Sequence, residues 1–225
     1  MRTRALPVLS QDRRSIVAAL LLAIGAAWFA ALPAPATAAG VPGATPTVAT
    51  DAALRDLWLG HAFWVRNVVQ ETLAHNKAGA AAAEGQVVAN AKQIAAAIEP
   101  FYGKPAADKL FTLLAGHYGA IKDYLMATDQ GSKARQATAK QHLIDNATEI
   151  ARFLSSANPN LPFDALQGLL MAHGGHHLQQ IEQFKARQYA DEAQTWLAMK
   201  DHLYGIADAL TVALATQFSD KFAAR

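Results

Sequence analysis

Three histidines, His61, His117 and His173, recur at an interval of 56 residues. Each follows two apolar residues at minus four and minus three: Leu57/Trp58, Leu113/Leu114 and Leu169/Leu170. Between them Asn90, Asn146 and His202 keep the same 56-residue step. A fixed interval on helical units places equivalent side chains at equivalent heights in a fold. The spacing therefore predicts three repeated helical hairpins, each carrying an imidazole inside its apolar stripe. The fold class expected is all-α, a bundle of about six helices around a buried polar site.

The second and third units carry the stronger evidence of repetition. Aligned without gaps, residues 90–127 and 146–183 share ten identities in 38 positions. Alanine and leucine matches come cheaply in amphipathic helices; the Asn90/Asn146 and His117/His173 matches do not. The first histidine joins the series through Leu57 and its register. Apolar residues recur at threes and fours after Asp51, and alanine is abundant. Helices are predicted over about 52–75, 82–99, 105–127, 133–155, 163–187 and 191–218, with Pro100, Asp129 to Ser132 and Asn158 to Pro162 as breaks. Short connections imply antiparallel neighbours.

The first forty residues read as an export signal. Arg2, Arg4, Arg13 and Arg14 form a basic start, Ile16 to Leu32 is uncharged, and Ala36 and Ala38 suit a signal peptidase. Residues 1–38 are thus expected to be a signal peptide, 39–51 a flexible linker, and 52–225 the helical domain. An uncleaved anchor is the alternative, since seventeen apolar residues just span a bilayer. Arg13-Arg14-Ser15-Ile16-Val17 also resembles a twin-arginine motif. The expected location is periplasmic or secreted, with no stable membrane insertion after cleavage. Removing the leader takes four arginines and Asp12, leaving 16 basic against 17 acidic residues, a net −1. Such a chain has no electrostatic basis for binding nucleic acid. It contains no cysteine, which excludes disulfides, thiolate metal sites and covalently attached haem.

Neutral imidazole is a good ligand for zinc, copper or iron. His173, His176 and His177 fall at i, i+3 and i+4, on one helical face. His61, His117, His173, His176, His177 and His202 are accordingly the candidate metal ligands. Asn90 and Asn146 are candidates for groups that orient the imidazoles, and Arg66 for the edge of a cofactor site or for pairing with Glu71 or Glu149. Two readings fit these residues: a transition-metal site, or a polar core satisfied by its own members and by water. Non-covalent haem b is a further alternative, with Trp58, Phe63, Trp64 and Tyr118 as a lining. No Glu-x-x-His or His-Glu-x-x-His occurs, which argues against a ferritin-like di-iron centre and a zinc protease.

Leu57-Trp58-x-x-His61-x-x-Trp64-x-Arg66, with Pro100-Phe101-Tyr102-Gly103-Lys104, Leu113-Leu114-x-x-His117, Asn146-Ala147-x-Glu149-Ile150 and Asn158-Pro159, resembles a family of bacterial all-helical proteins without an assigned activity. The likeness runs through the whole expected domain. It implies that His61, Arg66, His117, Asn146 and His173 belong to a shared pattern, while Asn90, His176, His177 and His202 do not. The function expected is binding of a transition metal, zinc or copper before iron, by histidines on facing helices. A metal-free module for a small ligand or partner, or a metal- or haem-dependent enzyme, is the alternative.

Overall fold

Among the described residues the stripes of threes and fours become six long helices and two single turns. The structure, a computed structural model, describes residues 45–223, which lie in one unit, Gly43–Arg225. In chain order the helices are α1 (Pro46–Leu73), α2 (Lys77–Ala97), the turn α3 (Glu99–Tyr102), α4 (Lys104–Asp129), α5 (Lys133–Ala157), α6 (Phe163–Lys185), α7 (Tyr189–Gln217) and the turn α8 (Ser219–Phe222). Among the described residues there is no strand, and no helix is long and apolar enough to cross a membrane. The expected signal peptide lies outside the described residues, as do residues 39–44 of the expected linker.

The remainder of that linker is helical. Thr45 accepts a hydrogen bond from the Val48 amide and Pro46 takes the first helical position, so α1 starts at Pro46 rather than Ala52. Helix α2 likewise starts at Lys77, ahead of the expected Ala82, because the Asn76 side chain accepts from the Gly79 amide at 3.1 Å. In both cases a capping side chain set the boundary, while the apolar stripe had placed it at the first core residue.

The three hairpins, α1/α2, α4/α5 and α6/α7, turn in the same way. His75, Gly131 and Arg187, again 56 residues apart, adopt left-handed φ of 57°, 69° and 60°. Each turn is closed by an amide reaching back five residues: Asn76 to Glu71, Ser132 to Ala127 and Gln188 to Gln183, at 2.9, 2.9 and 2.8 Å. This arrangement satisfies carbonyls that the helix end leaves open. Glycine fits a left-handed φ without cost; His75 and Arg187 hold it against the clash of a Cβ with the backbone.

Around the bundle the helices form a closed circuit. Helix α1 packs on α2, α2 on α4, α4 on α5, α5 on α6, α6 on α7 and α7 back on α1. Helix α6 also meets α1 and α4 across the middle. The helices bearing His61, His117 and His173 are therefore the inner ones. Aliphatic side chains fill the remainder of the core, Ile121, Ile181, Met199 and Leu203 being at most 1% exposed. Burying each contributes about 1.5–3 kcal/mol.

One charged pair belongs to that interior. The Arg66 guanidinium donates two hydrogen bonds of 2.6 Å to Glu192, which is 2% exposed. Gln180 donates to the same carboxylate at 2.8 Å, and the guanidinium lies over Phe184 and Trp196. Arg66 thus pairs across to α7, not with Glu71 or Glu149. Arg55 also ties α1 to α7 through Asp208 and pairs with Asp51 within α1, but these contacts are largely solvated and contribute little.

Candidate metal centre

His61 on α1, His117 on α4, and His173 and His177 on α6 meet in the bundle interior. One ring nitrogen from each lies within 4.8 Å of the others. All four side chains are buried, at 1–4% exposure. Their ring centroids are 4.6 to 6.4 Å apart. A tetrahedral ion with metal–nitrogen bonds of about 2.05 Å needs its ligand atoms roughly 3.3 Å apart. Closing the four imidazoles onto one ion therefore takes shifts of about 1 Å per ring, within the reach of side-chain rotation.

The ring nitrogens are short of partners. His61 Nε2, both nitrogens of His117 and of His173, and His177 Nε2 are buried with no hydrogen bond. Each such buried polar atom costs about 1–3 kcal/mol, and a donor set of four nitrogens is what zinc or copper accepts. Burial also makes the rings resist protonation. It pushes His61 down to about 3, helped by the neighbouring His117. His117 falls to about 4 through burial, with the adjacent Asn146 carboxamide opposing the change. His173 and His177 go well below the ordinary range through burial and then through the other imidazoles. All four are neutral at neutral pH, the state in which imidazole binds metal.

The residues predicted around the histidines take different places. Asn90, Asn146 and His202 brace the hairpins. Asn90 Nδ2 donates to the Leu57 carbonyl and Asn146 Nδ2 to that of Leu113, each at 3.0 Å, while His202 Nε2 meets the Leu169 carbonyl at 2.8 Å. Each accepting residue stands one helical turn before a cluster histidine. The brace thus fixes the height of the imidazole through the backbone, and the Oδ1 atoms of both asparagines are buried without partners. His176 and His202 stand apart from the four-histidine group; their rings lie 5.6 Å from each other, partly exposed. Arg66 is held by Glu192, as described. Of the aromatic residues considered for a haem lining, Trp58 lies edge-on to His61 and His173 at 6.3 and 6.0 Å, whereas Phe63 is 44% exposed.

Two parts of the arrangement went unread in the sequence. Gly60 and Gly116 precede the first two histidines, and a Cβ there would come within 3.2 and 3.0 Å of the Asn90 and Asn146 side-chain nitrogens. Their absence of a side chain lets the brace close, and the same interval reaches Ala172. The positions equivalent to His177 are Ile121 and Val65, at 1% and 0% exposure. His177 therefore replaces a core aliphatic residue of the other hairpins. Above the cluster sits an apolar cavity of about 40 Å³, walled by His61, His117 and His173 but not by His177. Compared with known families, curated proteins and solved structures, the chain matches none.

Proposed function

We propose that this protein binds one transition-metal ion, zinc or copper, through His61, His117, His173 and His177. The observation that carries the reading is the convergence of four buried, neutral imidazoles from three helices with six of their ring nitrogens unpartnered. Those atoms find no partner among the protein's own groups, and one ion would engage four of them at once. The convergence of four rings within 4.8 Å also favours a single ion over haem, whose plane needs two axial ligands facing across open space. Four nitrogen ligands suit zinc or copper better than oxygen-seeking magnesium or calcium.

Asn90, Asn146 and His202 serve the site by holding the ligand helices in register. The three hairpins are variants of one unit, the third having gained His176, His177 and His202. In this reading the leader directs the chain to the periplasm or the exterior, where the ion is acquired, and the likeness to unassigned all-helical bacterial proteins extends to their shared histidines.

Elemental analysis of the full-length protein, followed by calorimetric zinc titration after chelation, tests the proposal. One equivalent of metal is expected. His177→Ala should weaken binding by about 10–100-fold or more, and His61→Ala likewise, while His176→Ala leaves affinity unchanged. Sub-stoichiometric uptake, or equal sensitivity to His176→Ala, overturns it.

A further inference from the structure

The small cavity over the histidines is the inner of two neighbouring chambers. Leu54, Ile98, Leu154 and Leu210 wall it and also wall a larger cavity of about 310 Å³ at the end of the bundle. The larger chamber is lined by Leu57, Phe101, Phe153, Leu161 and Leu214, with the exposed Ala49 and Ala53 at its outer part. Among the described residues no Asp, Glu, Lys or Arg lines either chamber. The polar side chains of the larger chamber are Thr50, Tyr102 and Asn158, the last two hydrogen-bonded to each other. The Tyr102 hydroxyl donates to Gln217 Oε1 at 2.7 Å and accepts from Asn158 Nδ2 at 3.1 Å, Asn158 being 1% exposed.

We propose that the two chambers bind a neutral molecule with a linear hydrocarbon chain, its polar head at Tyr102 and Asn158 and its chain end at the histidines. The lining decides the chemical class. Phosphates, sugars and amino acids need charged or multiple convergent hydrogen-bonding groups, and here aliphatic and aromatic walls predominate. A charged head is disfavoured because no cation or anion faces it. The volumes decide the shape. The outer chamber stands at the small end of ligand pockets, about 300–1,000 Å³. The inner one, at about 40 Å³, is far smaller than the outer, which suits the tapering end of a chain better than a second bulky group. Walls this rich in aliphatic and aromatic side chains favour apolar guests. Binding depends on the chambers alone; that the chain end lies beside an ion rests on the metal reading above.

The test uses full-length protein, chelated and zinc-loaded, titrated with the neutral fluorophore N-phenyl-1-naphthylamine and then with 1-dodecanol as competitor. Saturable one-site fluorophore binding is expected in both forms, with displacement by dodecanol. Ala53→Trp, at an exposed position on the chamber wall, should weaken fluorophore binding roughly tenfold or more. Leu210→Phe, which narrows the passage, should weaken dodecanol more than 1-octanol. In cobalt-loaded protein, the terminal methyl of bound dodecanol should relax faster than its hydroxyl-bearing carbon. Non-saturable fluorophore binding, unchanged affinity in Ala53→Trp with native circular dichroism, or faster relaxation at the hydroxyl end overturns the proposal. Fluorophore binding without metal uptake removes only the metal reading; metal uptake without fluorophore binding removes only this one.

Discussion

Lowering the pH should unfold the metal-free protein well before it would unfold a bundle with an aliphatic interior. In the unfolded chain the cluster histidines take up protons near 6.5; in the folded protein His61 does so at about 3 and His117 at about 4. Between those values the unfolded state binds more protons, so stability falls as the pH falls. Above about pH 7 both states are neutral and the contribution is fully present. At about pH 5 each imidazole kept neutral costs some 1.36 kcal/mol per unit over roughly 1.5 units, or about 2 kcal/mol. His61 and His117 together cost about 4 kcal/mol, and His173 and His177 are shifted in the same direction. A domain holding 5–15 kcal/mol in total cannot absorb much more. Urea unfolding of chelated protein at about pH 7.5, 6 and 5, beside a His61→Leu/His117→Leu variant, measures the effect. The wild type should lose at least ~4 kcal/mol over this range and the variant about 4 kcal/mol less. A flat wild-type profile would refute the burial of neutral imidazoles.

Four further outcomes are expected. Arg66→Met strands the buried Glu192 carboxylate and should cost about 3–5 kcal/mol in chemical denaturation, most of it regained in Arg66→Met/Glu192→Leu; a loss below 1 kcal/mol counts against the pair. Arg187→Gly relieves the left-handed turn and should stabilise by up to about 1 kcal/mol, read as a raised melting temperature. Gly119→Ala, with nothing within 4 Å of its new Cβ, should gain about 0.5–1 kcal/mol of helix propensity. Gly116→Val should instead lose about 1–2 kcal/mol by displacing Asn146. Equal effects at the two glycines would dissociate the brace from stability.

The sequence revealed the helical class and the meeting of its histidines because both are periodic signals. An imidazole at a core position of an apolar stripe is directed inward whatever the details of packing, and a constant interval puts three of them at one level. The helix starts at Pro46 and Lys77 were missed because capping depends on single side chains, Thr45 and Asn76, outside the stripe. Asn90 and Asn146 have a further role that the sequence did not suggest: the 33-residue span also places each side-chain amide within reach of the leucine carbonyl one turn before a histidine. Choosing between His176 and His177 required their counterparts. Ile121 and Val65 mark position 177 as interior, a comparison available in the repeat but not drawn from it. Arg66 could not be assigned, because Glu192 lies 126 residues away and only the closing of α7 on α1 brings it near.

The substitution of His177 for an aliphatic residue has a consequence for symmetry. Three identical hairpins arranged about an axis can offer an ion on that axis imidazoles only in multiples of three, so a fourth ligand has to come from outside the repeat. Joining the hairpins covalently frees one of them to differ. One chain can thus bring a fourth nitrogen to the cluster, which three equal hairpins, each offering a single histidine at that level, do not.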